Sequence, residues 1–552
     1  MTELLVVIVI GLSVIAAATV LGPRLGIAAP LVLVAIGVGA SFLPVFGSVH
    51  IEPEWILEGI LPPLLYSSAV SMPAMNFRRE FGAISGLSVT LVVGSALLLG
   101  LFFSSVIPGL SFGWGVALGA IVSPTDAVAT SIIKQTRVSK RVVAMLDGES
   151  LLNNATALVL LRTATVAAFS FWGAAGTFAY SVVVAVLIGG LVGWLNLVLR
   201  KRVTDPAVNT VISFAVPFAA SVPAEFLGAS GLVAAVVAGL ATGIRAPREL
   251  SPQNRLSDSQ NWRTVELVLE GAVFLTMGVQ IKAIVTDVER DHAGVGAALL
   301  VAVGALVLTI VVRAAYVVPL LAGLSVRSRR TEQMSARMQG MQERMTTPEG
   351  RQETFAEVNP RSRRKASART LDRFAFRVTQ AVADLEYFRR APLGWREGTA
   401  VVWAGMRGAV TVAAAQTLPD HTPQRSVLVL VAFAVATLSL LVQGGTIGPL
   451  LRRIAPEVDR VAAAEQAGAE QARIMDLLST SAAEIPEPPA PGPTQEAFVV
   501  AKGHRLAVIA AQRSSLLDAR DHGTFDAEVL EKALANLDAA QIAIEMRGTM
   551  AV

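Results

Sequence analysis

The segment 147–158, which reads DGESLLNNATAL, places four polar side chains in a stretch that otherwise has the apolar character of a membrane span. Glu149 and Asn153 are four residues apart, as are Ser150 and Asn154, so all four share one face of a helix. Carboxylate, hydroxyl and amide oxygens are the ligands that hard monovalent cations require. Hydrogen bonding between helices would explain Ser150 and Asn153 equally well, but the charge of Glu149 needs a partner. The segment therefore predicts a cation site.

A second polar group, Pro124, Thr125 and Asp126, lies in the middle of the apolar stretch AIVSPTDAVAT. Proline removes a backbone donor and opens the helix, which exposes carbonyl groups and the Thr125 hydroxyl. Helices interrupted in this way supply cation ligands in membrane transport proteins. A proline kink in which Asp126 caps a broken turn is the simpler alternative.

Two arginines lie in late apolar stretches. Arg313, within LTIVVRAAYVVPLL, is a lone cation, and we expect it to pair with Glu149 for architecture more than for turnover. Arg407 is flanked by Gly405 and Gly408, which predicts a second interrupted helix whose exposed carbonyl ends are offset by the guanidinium. The two interruptions fall in the two halves of the chain, a pattern typical of inverted repeats that cross at a binding site.

The chain that must position these residues is strongly apolar. Its 552 residues are 53% hydrophobic and 16% charged, whereas charged residues make up about a quarter of ordinary soluble domains. It has no cysteine, which excludes disulfides, thiol catalysis and cysteine-based metal sites. The predicted fold class is therefore an all-α polytopic membrane protein with about 13 transmembrane helices. The predicted spans are 3–20, 27–46, 54–71, 82–107, 113–133, 140–169, 173–199, 207–223, 229–244, 265–285, 294–323, 397–418 and 425–452.

Lysine and arginine are concentrated in alternate loops between these spans. Basic loops mark the cytoplasmic side, so we expect a multi-pass protein of the cell membrane with its N-terminus outside and its C-terminus in the cytoplasm. Arg290 and Arg425 are exceptions, because they lie in loops near the end of the apolar region that this alternation assigns to the outer side. The basic loops carry Arg24; Arg78 and Arg79; Lys134, Arg137, Lys140 and Arg141; Arg200, Lys201 and Arg202; and Arg245, Arg248, Arg255 and Arg263.

Two polar segments lie outside the predicted spans. Residues 325–394 are predicted to form a cytoplasmic insertion, helical in part, and residues 456–552 a cytoplasmic tail with a proline-rich break at 484–494. The membrane domain then comprises 1–324 and 395–455. Both polar segments are typical of solvated helical appendages, and a regulatory ligand of the tail is the alternative.

Six motifs occur in order along the apolar region: LPPLLYSSA (61–69), SPTDAVAT (123–130), GESLLNNATALV (148–159), SGLVAAVVAGL (230–240), FLTMGVQ (274–280) and GMRGAVTVA (405–413). Together they resemble the monovalent cation:proton antiporters, the family of bacterial NhaP-type exchangers and animal sodium/proton exchangers. The resemblance covers about residues 1–455. It implies a homodimer with a dimerisation domain and a core domain, two crossed unwound helices and alternating access. It implies a cation site formed by Thr125, Asp126, Ser150 and Asn154, supported by Glu149, Asn153 and Arg313, with Arg407 stabilising the crossing.

Asn154 departs from the family motif, which reads Glu-Ser-Leu-Leu-Asn-Asp and ends on the aspartate that binds the cation and the proton in turn. An amide offers one carbonyl oxygen but neither titrates nor carries charge. The other local acids on this reading are Asp126 and Glu149, and Glu149 is expected to be paired. Three interpretations remain: an engineered aspartate-to-asparagine change, a natural exchanger that titrates Asp126 with altered cation choice, or a non-exchanging channel, sensor or dimer partner. We expect exchange by this chain to be impaired.

An enzyme with a membrane anchor is the rival class, but the polar segments contain no Gly-rich phosphate loop and no metal-ligand spacing. We therefore expect a transporter without enzymatic activity, cofactor or nucleic-acid partner. If one carboxylate alternates between one cation and one proton, exchange is electroneutral. The same oxygen ligands serve Na⁺, K⁺ and Li⁺, so the sequence leaves the transported cation open. The histidines all lie in loops or the tail, where they could tune the pH response: His50, His292, His421, His504 and His522.

Overall fold

The computed structural model describes residues 2–25, 27–43, 52–126, 128–134, 136, 138–166, 171–290, 294–345, 347–358, 367–454, 460–488 and 495–546. All regular secondary structure in these ranges is helical, and every predicted span overlaps at least one helix. Seven helical stretches in this part are long and apolar enough to cross a membrane. The all-α membrane class is confirmed, and the number of crossings stays a prediction.

The helices fall in the following order. They are α1 (Thr2–Leu25), α2 (Ala29–Ala40), α3 (Leu61–Ser71), α4 (Ala74–Ser85), α5 (Leu91–Val106), α6 (Phe112–Val122), α7 (Val128–Lys134), α8 (Lys140–Val166), α9 (Phe171–Arg200), α10 (Pro206–Phe226), α11 (Gly231–Glu249), α12 (Pro252–Val279), α13 (Ile281–Arg290), α14 (Val295–Arg344), α15 (Pro348–Val358), α16 (Ala368–Arg390), α17 (Trp395–Trp403), α18 (Ala409–Gln416), α19 (Arg425–Ser439), α20 (Gly445–Ile454), α21 (Arg460–Ala483), α22 (Gln495–His522) and α23 (Ala527–Met546). Three π-helical segments lie directly before α3, α5 and α20: Trp55–Ile60, Gly86–Thr90 and Leu440–Gly444.

The chain divides into two compact units. The first unit, which contains every candidate site residue, consists of Met1–Glu249, Leu256–Leu320 and Trp395–Ala455. The second unit consists of Leu250–Arg255, Leu321–Gly394 and Pro456–Val552. The domain boundaries expected from the sequence stay predictions.

Small residues bring helices of the first unit into backbone contact. Gly115 of α6 faces Gly100 of α5, and a Cβ added to Gly115 would lie 2.5 Å from the Gly100 carbonyl oxygen. Gly37 of α2 faces α12, and a Cβ added there would lie 2.9 Å from the Cα of Gly278. Close approach through glycine is typical of helices that pack within a membrane. These contacts fix α6, which precedes the first polar group, against α5. They also fix α12, which carries Glu266 and Glu270, against α2.

A buried arginine ties together α9, α10 and α12. Arg200 donates to Asn209 Oδ1 at 2.7 Å and to Ser213 Oγ at 3.3 Å, and it pairs with Asp258 at 2.9 Å. Trp262 Nε1 donates to the same Ser213 hydroxyl at 2.9 Å. Because a buried charge is costly unless it is paired and hydrogen-bonded, this network fixes the first turns of α12 against its neighbours.

The second unit has an apolar core of its own. Helices α21, α22 and α23 pack around a cluster that includes Leu516 and Leu534. Asp538 of α23 accepts from Arg513 of α22 at 2.8 Å and from Arg255 at 2.5 Å. The described residues of the predicted insertion and tail are mainly helical, and the tail helices are held by both apolar packing and ion pairs.

Candidate functional site

Two helices of the first unit are interrupted where the sequence predicts interruptions. The first break lies between α6, which ends at Val122, and α7, which begins at Val128. The second lies between α17, which ends at Trp403, and α18, which begins at Ala409. Pro124 has no N–H to continue the first helix. Helix ends leave backbone N–H and carbonyl groups unsatisfied, so both breaks supply polar groups inside an apolar unit.

The two breaks lie against each other. The backbone N–H of Asp126 donates to the carbonyl oxygen of Met406 at 2.7 Å. Arg407 Nε donates to the carbonyl oxygen of Val122 at 3.0 Å, and the Arg407 backbone N–H donates to Ser439 Oγ at 2.9 Å. Since Val122 is the last residue of α6, the guanidinium lies at the negative end of that helix dipole. Arg407 thus contacts the end of α6, and its role in stabilising the crossing stays a prediction.

Glycines make room for charged side chains at this crossing. The Gly408 backbone is extended, with φ −125°, so any residue could adopt it and the constraint is space. A Cβ at Gly408 would collide with the carboxylate of Asp126. A Cβ at Gly405 would lie 2.6 Å from Cδ of Arg313. Because Gly408 and Gly405 have no side chains, the second break leaves room for the carboxylate of Asp126 and the side chain of Arg313.

Glu149 and Arg313 form the ion pair that the sequence predicts. Nη1 and Nη2 of Arg313 donate to the two carboxylate oxygens at 2.5 and 2.7 Å. Only 1% of Glu149 and 2% of Arg313 is exposed, so the pair is shielded from water. Arg313 Nε donates to the Val401 carbonyl oxygen at 2.8 Å, and Thr125 Oγ1 donates to Glu149 Oε1 at 3.2 Å. This carboxylate is committed to a guanidinium and a hydroxyl.

The other polar residues of α8 divide into two groups. Asn153 Nδ2 donates to Thr125 Oγ1 at 2.6 Å, and among the described residues Asn153 Oδ1 has no hydrogen-bond partner. Asn154 Nδ2 donates to the Ser150 carbonyl oxygen at 3.3 Å, and the Ser150 hydroxyl donates to the Asp147 carbonyl oxygen at 3.1 Å. Asn153 is therefore joined to the first break, whereas the side chains of Ser150 and Asn154 bond within α8.

Two acids on α12 escaped the sequence reasoning. Glu266 and Glu270 are one turn apart and lie near the start of the predicted span 265–285. The charged groups close enough to act electrostatically on Glu270 are Asp126 and Glu266. The expectation that the local acids are Asp126 and Glu149 stays a prediction. An ionisable residue in a predicted span is a functional candidate by default, so the signal was present in the sequence.

A cavity of about 590 Å³ opens beside α8. Arg162 and Glu225 pair across it at 3.3 Å. Leu158 also lines it and lies four residues beyond Asn154, about one helical turn along α8. Negative charge in a cleft concentrates cations. The acidic residues of the lining are Glu54, Glu58 and Glu225.

An all-helical unit with two crossed interrupted helices is the architecture of a secondary transporter. A model described as "Sodium/hydrogen exchanger, transmembrane" matches residues 9–343 and 374–453. This chain therefore belongs to the sodium/hydrogen exchanger family.

Individual proteins show the same likeness. An uncharacterised Na⁺/H⁺ exchanger of Mycobacterium bovis is 28% identical over 495 residues, which are 87% of this chain and 81% of the relative. The uncharacterised Na⁺/H⁺ exchanger YjcE of Escherichia coli is 36% identical over 273 residues, 46% of this chain and 49% of the relative. The solved structure of the sodium proton antiporter MjNhaP1 from Methanocaldococcus jannaschii has a TM-score of 0.55 and 14% identity, covering 82% of this chain and 100% of that one. At that identity the likeness is one of fold.

Proposed function

We propose that this chain exchanges a monovalent cation for protons across a membrane, with Na⁺ as the first candidate and K⁺ and Li⁺ as alternatives. The observation that carries the proposal is the crossing, where Asp126 is hydrogen-bonded to Met406 and its carboxylate lies against Gly408. An unwound crossing inside an apolar unit offers oxygens that can replace the hydration shell of a cation. Membership of the sodium/hydrogen exchanger family supports the same activity.

We assign the cation ligands to oxygens of Thr125, Asp126, Ser150 and Asn154. The Thr125 hydroxyl is already engaged by two side chains of α8, so Thr125 would act through its backbone carbonyl oxygen. Asp126 supplies negative charge, and Asn154 supplies a neutral carbonyl oxygen. The supporting residues hold this arrangement without binding the cation: Glu149, Asn153, Arg313 and Arg407.

The proposed cycle is alternating access, with one cation exchanged for one proton and therefore no net charge moved. The acidic cavity beside α8 supports this cycle because it approaches to about one turn from Asn154 and would draw cations towards the crossing. The alternation of basic loops supports a cell-membrane location with the N-terminus outside and the C-terminus in the cytoplasm. No cofactor is needed, because the cation and the proton are the cargo.

Exposed apolar side chains on the first unit indicate what that unit packs against. On α9 of the first unit, Leu187 and Leu191 are 68% and 61% exposed, which supports burial against lipid or in the homodimer that the resemblance implies. The second unit has its own apolar core and is proposed as a cytoplasmic regulatory region. Binding of a regulatory ligand by the tail is the alternative to a purely structural role.

The expectation of impaired exchange depends on Asp126 and the arginine-paired Glu149 being the complete set of acids at the site. Asn154 offers one carbonyl oxygen and no titrating group, and Glu149 is paired with Arg313. We therefore propose that the chain as written exchanges more slowly than Asn154→Asp.

The test is exchange by the full chain in proteoliposomes that contain a pH-sensitive dye. A pulse of external Na⁺, K⁺ or Li⁺ should make the interior alkaline, and a membrane-potential clamp should leave the rate unchanged if exchange is electroneutral. Asp126→Asn should abolish the signal. Glu289→Gln, at an exposed position of α13, is the matched control and should behave as the unchanged chain. The proposal is lost if neither the unchanged chain nor Asn154→Asp responds to any of the three cations.

A further inference from the structure

The helix that follows the second break along the chain carries two buried polar residues outside the proposed cation site. Ser439 is the last residue of α19, and Gln443 lies in the π-helical segment Leu440–Gly444 that comes directly after it. Both side chains are 0% exposed. Single π-helical turns are frequent at functional sites, and a buried hydroxyl or amide is costly unless it is hydrogen-bonded. The partners of Ser439 and Gln443 therefore indicate what the two residues do.

The two side chains form a relay that joins the two sides of the second break. Ser439 Oγ accepts the backbone N–H of Arg407 at 2.9 Å and donates to Gln443 Oε1 at 2.6 Å. Gln443 Nε2 donates to the carbonyl oxygen of Trp403 at 3.3 Å. Trp403 is the last residue of α17, and Arg407 lies just before α18. The relay thus runs from the end of one half-helix to the start of the next.

The residue types of the relay match what a broken helix lacks. The end of a helix leaves carbonyl oxygens that need donors, and the start of the next leaves N–H groups that need acceptors. A glutamine side chain carries one donor group and one acceptor, and a hydroxyl can donate and accept at once. Gln443 and Ser439 together therefore satisfy one backbone group on each side of the break.

The stretch that carries Gln443 touches the second break at two further points. Trp403 Nε1 donates to Thr446 Oγ1, in the first turn of α20, at 2.9 Å. A Cβ added to Gly444 would lie 3.3 Å from Sδ of Met406, so the π-helical segment packs directly against a residue inside the break. Residues 403, 406 and 407 are thus all held from one short stretch of chain.

The same residues make the contacts between the two breaks. The carbonyl oxygen of Met406 accepts the backbone N–H of Asp126 at 2.7 Å, and Arg407 Nε donates to the carbonyl oxygen of Val122 at 3.0 Å. Met406 and Arg407 lie between the point held by Gln443 and the point held by Ser439. The position of Asp126 against the second break therefore depends on the relay.

Resting on the function proposed above, we propose that Ser439 and Gln443 are positioning residues of the cation site. They hold the second break in its unwound conformation and so place Met406 and Asp126 relative to each other, without contacting the cation. The apparent affinity for a ligand falls in proportion to the fraction of molecules that have the competent conformation. Loss of the relay should therefore raise the cation KM more than it lowers the rate at saturating cation.

The first test measures the Na⁺ dependence of exchange in proteoliposomes, with K⁺ and Li⁺ run alongside. Gln443→Met keeps the side-chain length but can neither donate to the Trp403 carbonyl oxygen nor accept from Ser439. It should raise the KM by about fivefold or more, the equivalent of one unmade buried hydrogen bond. Ser439→Ala should have the same effect, and Ser439→Thr, which keeps the hydroxyl, should restore the KM. All variants are made in the unchanged chain and again in Asn154→Asp, which is expected to exchange faster.

Gln416→Met is the matched control. Gln416 is an amide at the other end of α18, and its Nε2 donates to Gln280 Oε1 at 2.8 Å. Its loss removes a hydrogen bond between helices without touching the break, so the KM should stay unchanged. The proposal is overturned if Gln443→Met and Ser439→Ala lower only the maximal rate. If Ser439→Ala is folded but too slow for a KM, recovery by Ser439→Thr supports the proposal and equal loss in both overturns it.

A second measurement needs no transport. Amide hydrogen exchange of the full chain in detergent should be faster in a peptide covering 404–408 for Ser439→Ala than for the unchanged chain, because the Arg407 N–H loses its acceptor. Ser439→Thr and Gln416→Met should match the unchanged chain in that peptide. Faster exchange throughout the membrane unit would show a general loss of stability and count against a positioning role. If Gln443→Met cannot be purified, the two variants at Ser439 decide the question.

The outcomes also separate this proposal from the proposed function. Exchange with an unaltered cation KM in Gln443→Met and Ser439→Ala would leave the antiporter function standing and overturn the positioning role. Inactivity of both the unchanged chain and Asn154→Asp towards every cation would overturn the function, and with it the role of the relay in transport. A raised KM in both variants, restored by Ser439→Thr, would support both proposals.

Discussion

Replacing Glu149 by glutamine should destabilise the protein strongly, because it leaves a buried guanidinium without its counter-ion. Arg313 makes two charge-assisted hydrogen bonds to Glu149, at 2.5 and 2.7 Å, and one bond to the Val401 carbonyl oxygen. With only 2% of Arg313 exposed, water cannot replace the lost carboxylate. Removing one partner of a buried pair typically costs about 3–5 kcal/mol. Arg313→Met should cost a similar amount, since it strands the carboxylate.

The double variant Glu149→Gln/Arg313→Met should cost much less than the sum of the two single changes. Removing both charges leaves no buried ion of this pair to solvate, and coupling between residues in direct contact is typically about 0.5–3 kcal/mol. For a bidentate pair with this burial we expect the upper end of that range. The Thr125 hydroxyl, which donates to Glu149 Oε1, can still donate to the side-chain oxygen of the introduced glutamine.

The assay is thermal unfolding of the four purified proteins in the same detergent, followed by the fraction that remains monodisperse after heating. Each single variant should show a large drop in the midpoint, and the double variant a recovery. Proteoliposome exchange by the double variant should persist, because the pair is expected to serve architecture more than turnover. Additive midpoint losses would refute the buried-pair argument. A stable double variant without exchange would refute the architectural role.

Three further outcomes are expected. Gly408→Ala should abolish exchange, because its Cβ collides with the carboxylate of Asp126, whereas Gly445→Ala, which meets nothing within 4 Å, should retain it in the same proteoliposome assay. Asp538→Asn leaves two arginines of the second unit facing a neutral side chain, so limited proteolysis should cut the tail helices faster than in the unchanged chain. Arg200→Met strands the buried acid that it pairs with and should lower thermal stability by about 3–5 kcal/mol, again by unfolding in detergent.

The parts of the site that the sequence predicts are those with a local cause. Pro124 removes a backbone donor, and the glycines at 405 and 408 are poor helix formers, so both interruptions are visible without any tertiary information. The pair of Glu149 and Arg313 is predictable for another reason. Each is an isolated charge in an apolar stretch, and the cost of leaving either alone restricts the choice of partner.

The parts of the site that the sequence does not predict depend on where each side chain points and on how the helices pack. Ser150 and Asn154 lie on the helix face expected, yet both bond to carbonyl oxygens of α8, and residue spacing does not contain that choice of rotamer. Glu270 is easily overlooked because it stands at the start of its predicted span, close to Glu266 and Arg263, where charges are ordinary.

The substitution at position 154 therefore has a different meaning in the sequence and in the fold. Read along α8, Asn154 is the loss of a titrating group. At the crossing, the relevant quantity is the number of carboxylates that can exchange a proton for a cation, whichever helix supplies them. Asp126 is the candidate at the first break, because Arg313 neutralises Glu149. We expect exchange to require Asp126, with Asn154 contributing a neutral carbonyl oxygen.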